Sequence, residues 1–280
     1  MSLLGLLKAV LGLTPPAGQA PVCAGCGKRI SGLYLEAQGR LWHRNHFCCA
    51  LCGDALNGTY RVGPHGEAFC KHHPDQEAYC HGCGAVTPGG LNGEGFCPGC
   101  AGQVLQEGPP AQELLAEVQA CLRGQGLPWW PQSFPVRLVS RQELRSQPGI
   151  GSDSLRGLIH QRLQVDARGQ TARQITGIHL LRAQPTVLQG SVLAHELGHA
   201  WVFQRGLELP REVEEGFCEF CSHLWLSRSR DPRAVFLMKR IASNTQPIYG
   251  DGFRKVQSWS TGAGFAGVLQ QLERNARKVS

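Results

Sequence analysis

Eight potential metal ligands, set in four pairs, constrain this chain more than any other feature. Cys23-x-x-Cys26 is followed after sixteen residues by His43-x-x-His46, then by Cys49-x-x-Cys52, and after seventeen more by Cys70-x-x-His73. Four pairs make two tetrahedral sites, each pair biting one ion from a single turn. Two further pairs, Cys80-x-x-Cys83 and Cys97-x-x-Cys100, stand thirteen residues apart around a turn-rich Thr87-Pro-Gly-Gly. They read as a four-cysteine zinc ribbon whose site is closed and structural. Segments this short cannot form an adequate core alone and depend on metal to stay folded. Ten of the 13 cysteines fall within residues 23–100. An odd total clustered in C-x-x-C pairs argues for zinc in a reducing, cytoplasmic setting rather than for disulfides.

The first eight ligands resemble the LIM domain, a double zinc finger with two fused sites. That resemblance assigns Cys23, Cys26, His43 and His46 to one zinc and Cys49, Cys52, Cys70 and His73 to the other, with histidine where cysteine is commoner. Trp42 and Phe47 flank the junction and would supply its small core. Cys48 and His72 adjoin ligands but are out of register. On the same resemblance, the ribbon reads equally as a shortened LIM-like half.

A different chemistry begins at Val192-Leu-Ala-His195-Glu196-Leu-Gly-His199-Ala-Trp201, an H-E-x-x-H in a mostly apolar run. On a helix, positions i and i+4 share a face, so His195 and His199 would offer their imidazoles to one zinc ion. Glu196 would reach the water on that metal as a general base. Gly198 inside the helix costs about 1 kcal/mol against alanine, which implies close packing of another backbone. A catalytic zinc wants a third protein ligand and an open position. The next helical pattern, from Arg211, sets Glu215, Glu219 and His223 in steps of four. Glu215-Gly216-Phe217 resembles the third-ligand segment of gluzincin metallopeptidases, which selects Glu215 over Glu214. Glu219 could accept a hydrogen bond from a ligand histidine. Alternatively, Glu212, Glu214 and Glu219 form a solvated acidic face. Cys218 and Cys221 make a fifth C-x-x-C with no second pair to complete a site, and read as core thiols.

At 280 residues the chain has room for several domains. Of the formal charge of +7, residues 1–104 contribute only +1 (seven basic, six acidic). No Lys/Arg run is dense enough for a nucleic-acid groove, and residues 80–100 hold no Lys or Arg at all. No apolar segment approaches the ~20 residues of a membrane span. The expected organisation is multidomain. Residues 1–20 form a tail or short docking helix with a linker, 21–75 a small zinc-stapled β-rich domain, and 76–104 the ribbon. Residues 105–280 form a mainly helical α+β domain. Within it, helices are expected over 111–123, around the H-E-x-x-H (starting at Thr186 or Ser191), from Arg211, and over 231–243 and 253–275. Strands are expected over 134–140 and 175–181, with a turn at Pro128-Trp-Trp-Pro131.

The order of these features resembles one family. LIM domain, four-cysteine segment, Ala194-His-Glu-x-x-His-Ala-Trp201, Val213-Glu-Glu-Gly216, Trp225-Leu226 and Tyr249-Gly-Asp-Gly-Phe-Arg254 match the LIM-containing peptidases of the plant organ-size regulators (the "DA-one" family) over most of the chain. The short form suits a bacterial member. The resemblance implies a gluzincin-like zinc metallopeptidase with four zinc ions, three structural and one catalytic, cutting protein or peptide substrates. Its LIM region would bind a protein partner or regulate, and the strand over 175–181 would be an edge that holds substrate extended. Plant members carry ubiquitin-interacting helices ahead of the LIM domain. Here about twenty residues precede it, without an acidic ubiquitin-binding pattern, which leaves ubiquitin in doubt as a partner. Glu196 would pass its proton to the leaving amine, and Tyr249 is the candidate donor to the oxyanion, with His223 and Arg254 as rivals. The alternative is a LIM and ribbon adaptor whose peptidase-like domain is inactive. The intact Glu196 argues against it, because zinc binding alone needs no general base.

Overall fold

The computed structural model describes residues 6–8, 10–12, 21–63, 66–71, 79–86, 90–105, 107–128, 133–147 and 155–278. His72, His73 and the turn at Pro128-Trp-Trp-Pro131 beyond Pro128 lie outside them. The chain divides into two compact units, Met1–Cys97 and Pro98–Ser280. Among the described residues, no helix is long and apolar enough to cross a membrane.

The first unit is built of short hairpins. Strands β1 (Leu6–Lys8), β2 (Val10–Gly12), β3 (Tyr34–Ala37), β4 (Arg40–His43), β5 (Thr59–Val62) and β6 (Ala68–Cys70) form two three-stranded sheets, β2-β3-β4 and β1-β5-β6. The expected docking helix is corrected: Leu6–Lys8 pairs with Thr59–Arg61, and Val10–Gly12 with Tyr34–Glu36. An apolar run this brief is too short for a stable helix, whereas the outer edges of β3 and β5 offer unpaired backbone groups. The core is small and aromatic. Phe47 is buried with Trp42 at 5.2 Å and Tyr60 at 4.9 Å between ring centroids.

In the second unit a helical turn, α1 (Pro98–Ala101), leads to α2 (Pro109–Gly124), which buries Ala111, Leu114, Leu115, Val118 and Leu122. Strand β7 (Val136–Val139) runs into α3 (Arg141–Arg145), opened by a capping box in which Ser140 and Glu143 bond each other's backbone N–H. Strands β8 (Gly157–Val165) and β9 (Thr171–Leu181) complete a sheet of order β7-β9-β8, with β7 parallel and β8 antiparallel to β9. The strand over 175–181 is therefore the middle one and not an edge; β7 and β8 are the edges.

Helix α4 (Thr186–Arg205) is apolar all round and is the centre of the unit, with Leu193, Ala194, Leu197, Ala200 and Trp201 buried. Pro185 offers no capping side chain, so Gln103 supplies a carbonyl to the Thr186 N–H at 3.0 Å. Gly206, in the left-handed conformation at φ 63°, ends the helix. Short strand β10 (Leu207–Glu208) pairs with β11 (Arg277–Lys278), and α5 (Arg211–Arg228) and α6 (Arg233–Ala242) follow. A π-helical turn at Pro247–Asp251 then leads into α7 (Gly252–Trp259) and α8 (Gly264–Asn275). The single helix expected over 253–275 is thus two, broken where Gly262 takes φ 83° and Gly264 φ 59°.

Backbones touch at two points around α5. A Cβ on Gly198 would lie 3.0 Å from Cys218 Cα and 2.9 Å from its Sγ, the close packing its place in the helix implied. A Cβ on Gly216 would run into the Gly252 carbonyl at the start of α7. Gly216→Ala gains about 1 kcal/mol of helix propensity but forces these helices apart, at about 1–3 kcal/mol or more. The expected result is a lowered Tm in thermal unfolding.

Candidate metal centres

Three knuckles repeat one local solution. In Cys23-x-x-Cys26-Gly27, Cys49-x-x-Cys52-Gly53 and Cys80-x-x-Cys83-Gly84, the glycine adopts φ of 70°, 77° and 73° and returns its N–H to the first cysteine's carbonyl at 2.8–2.9 Å. This turn aims backbone N–H groups at the first sulfur: Gly25 and His43 at Cys23, Leu51 at Cys49, Gly82 and Cys97 at Cys80, all at 3.2–3.4 Å. Burial alone would raise these thiols. The N–H donors outweigh it and bring Cys23 to about 6 and Cys49 and Cys80 to about 7, so the ligand form is present at neutral pH.

Cys23, Cys26, His43 and His46 come together with Sγ–Nδ1 distances of 3.5 and 3.4 Å and 3.3 Å between the two Nδ1 atoms. Tetrahedral zinc with these ligand types needs about 3.3–3.8 Å between neighbouring donors. The His43 Nε2 faces the Arg29 carbonyl at 3.2 Å, which fixes Nδ1 as the ligating atom. Cys49, Cys52 and Cys70 gather in the same way, with 3.9 Å between the sulfurs of Cys52 and Cys70. The fourth expected ligand, His73, lies outside the described residues. Cys80, Cys83 and Cys97 gather likewise, with 3.8 Å between the sulfurs of Cys83 and Cys97, and in the second unit Arg233 Nη1 reaches Cys100 Sγ at 3.9 Å. Cys48 instead donates to the Asn45 carbonyl. None of the thirteen cysteines is in a disulfide, and these donor sets suit zinc.

On α4 the two histidines face a carboxylate from α5. Glu215 Oε2 lies 3.3 Å from His195 Nε2 and 3.7 Å from His199 Nε2, close to the ~3.3 Å edge of a zinc tetrahedron with N and O ligands. Cys218 Sγ is also within 4.8 Å of both histidines. It sits against Gly198, and burial drives its thiol well above the ordinary range, so Glu215 is the better donor. Burial would lower His195, but its hydrogen bond to Glu215 and the charges of Glu219 and Glu196 hold it at about 9. Burial would raise Glu215, yet the same histidines keep it below its usual value.

The expected partner of a ligand histidine, Glu219, faces His195 Nδ1 at 3.6 Å, too far for a hydrogen bond. The bonded pair is His199 Nδ1 to Glu214 at 2.8 Å, which leaves Nε2 of His199 for a metal. From the sequence, Glu214 reads only as a rival ligand or as part of an acidic face. Glu196 is 7% exposed, and a Cβ on Gly157 would meet its Oε1 at 2.9 Å. Its carboxylate therefore faces the first residue of β8. Tyr249 feels the charges of the same cluster. Burial and the charges of Glu215 and Glu219 raise its phenol, while Arg211 bonds it. Arg donates in that bond, so the Tyr249 O–H remains a donor. Arg254 is committed elsewhere, to the Ala242 and Asn244 carbonyls and to Asp251. His223 packs against Phe253 at 5.2 Å between ring centroids, and burial lowers it.

Comparison with known families matches residues 23–84 to the LIM domain and residues 145–235 to the DA1-like family, described as Protein DA1. The chain carries a LIM domain followed by a DA1-like region. That region contains α4, His195, Glu196, His199 and Glu215, and the LIM match runs on to take in Cys80 and Cys83. LIM domain-containing protein HDR3 of Oryza sativa subsp. japonica is 24% identical, over 83% of this chain and 69% of its own length. Protein DA1 of Arabidopsis thaliana is 23% identical, over 91% and 68%. Paxillin-B of Dictyostelium discoideum is 42% identical over 50 residues, 18% of this chain and 9% of that protein. No solved structure matches. The LIM domain suggests protein interactions.

Zinc at the His195–His199–Glu215 cluster must displace the proton that His195 holds up to about pH 9. Apparent affinity there should rise about tenfold per pH unit from 7 towards 9. Calorimetry in buffers of differing ionisation enthalpy should detect about one proton released at pH 7.5.

Proposed function

We propose that this chain is a zinc-dependent endopeptidase, with three structural zinc ions in the LIM and ribbon region and one catalytic ion on His195, His199 and Glu215. The LIM region serves protein interaction or regulation. The observation that carries the reading is the Glu215 carboxylate set 3.3 and 3.7 Å from two histidine Nε2 atoms, with the buried Glu196 carboxylate on the same helix. A zinc ion there supplies Lewis acidity, activating a water and polarising the scissile carbonyl.

The chain's own residues do the rest. Glu196 accepts the attacking water's proton and delivers it to the leaving amine. Glu214 holds the His199 ring and its tautomer. Tyr249, whose phenol burial and the charge of Glu215 keep protonated, donates to the developing oxyanion. Strand β8 begins at Glu196 and runs past His199, whose carbonyl Gln161 contacts at 3.5 Å. A substrate main chain added to that edge would lie across the metal ligands. Cysteines gathered into metal-binding sets suit a reducing, cytoplasmic setting.

Glu196→Gln should leave metal content unchanged and abolish hydrolysis of a denatured protein substrate, followed by gel and mass spectrometry. Full activity in that variant contradicts the assignment. Zinc retained by a wild type that cleaves nothing favours an adaptor.

A further inference from the structure

The outer half of the β8–β9 hairpin extends beyond the three-stranded part of its sheet. Strand β7 pairs only with Ile178–Leu181 of β9, so Gln161–Val165 and Thr171–Ile175 form a two-stranded ribbon without a third strand. Two-stranded ribbons are marginal alone. This one nevertheless exposes Leu163 at 55% and Val165 at 63%.

Their side is fixed by the strand's alternation. A register shift separates His160 from Gln161, and from there Gln161, Leu163 and Val165 share one face. It is the face turned to α4. Gln161 contacts the His199 carbonyl, Ile175 opposite Gln161 is buried, and Arg173 opposite Leu163 lies against Gly206 at the end of α4. The outer edge of β8 is thus continuous from the Glu196 carboxylate at Gly157, past His199, to two exposed apolar side chains. From Gly157 to Leu163 the strand spans six residues, about 20 Å. The hairpin is also basic, with Arg162, Arg168 and Arg173 against Asp166 alone, and Asp166 is spent on the turn, accepting from the Arg168 and Gln170 N–H groups.

We propose that this edge is a docking strip for an extended polypeptide segment, in which Leu163 and Val165 pair cross-strand with apolar side chains about six residues from the bond presented to Glu196. The proposal rests on the peptidase reading for its register and names the substrate class: neutral or acidic segments that are unfolded over about ten residues and alternate apolar with polar side chains. A folded surface or a short peptide would not reach both ends of the strip. Specificity would then lie partly in a distant contact rather than in the pockets beside the scissile bond.

The test measures binding apart from cleavage. A fluorescein-labelled fourteen-residue peptide of alternating valine and threonine, flanked by glutamates, is titrated by anisotropy into the full chain carrying Glu196→Gln. The titration is repeated with Leu163→Ser and Val165→Ser added. Both added positions are exposed, so Tm should hold within the scatter of surface changes. The expected result is binding weakened about tenfold by the two serines, and to a similar degree when the peptide's valines become serines. Equal binding by the two proteins overturns the proposal, as does no binding by either. A dimer in sedimentation velocity that the two serines dissolve also overturns it, because the strip would then hold a second copy. Turnover of the peptide by the Glu196-intact chain with KM unmoved by the serines sinks the strip and leaves the peptidase. The tenfold loss without any turnover does the reverse.

Discussion

The close crossing of α4 and α5 is the constraint on which the second unit depends. Gly198 lets the Cys218 backbone approach, and that approach fixes how far Glu215 stands from His195 and His199. Gly216 admits α7 on the other side of α5 in the same way. A carboxylate flanked by two imidazoles in an apolar interior is costly unless each charge is paired. Here every pairing serves the same centre: Glu215 with both Nε2 atoms, Glu214 with one Nδ1, and Glu219 near the other. Glycines at the crossings thus act on the chemistry through distance alone.

The first unit answers a different problem with the same logic. It has too little core to order its loops, so backbone N–H groups converge on sulfur and prepare three thiols for metal before it arrives. The apolar stretch at Leu6–Gly12 is used as edge strands rather than as a helix.

What could be read from the sequence follows from what is local. The C-x-x-C-Gly knuckles and the H-E-x-x-H face are set by spacing within one turn, and their residues meet as spacing dictates. Glu215 over Glu214 rests on a family resemblance; in the fold Glu215 faces both Nε2 atoms and Glu214 bonds His199 Nδ1. The role of Glu214 was hidden because it depends on how one helix is rolled against another, which no pattern within α5 records. Strand β8 and α3 are signalled in the sequence only by Ser140-x-x-Glu143 and the Asp166-to-Gly169 turn. The bulge after His160 and the glutamines at 161 and 164 break the alternation that marks a strand. The break between α7 and α8 lay in Gly262 and Gly264, and apolar periodicity on both sides masked it.

The proposed metal centre on α4 and α5 is distinct from the cysteine-rich sites. Metal analysis of the purified chain beside a His195→Ala/His199→Ala variant tests this most directly. The prediction is four zinc ions falling to three, with the fold retained by circular dichroism. An unchanged count would mean that these histidines hold no metal, and the catalytic reading would fail with it.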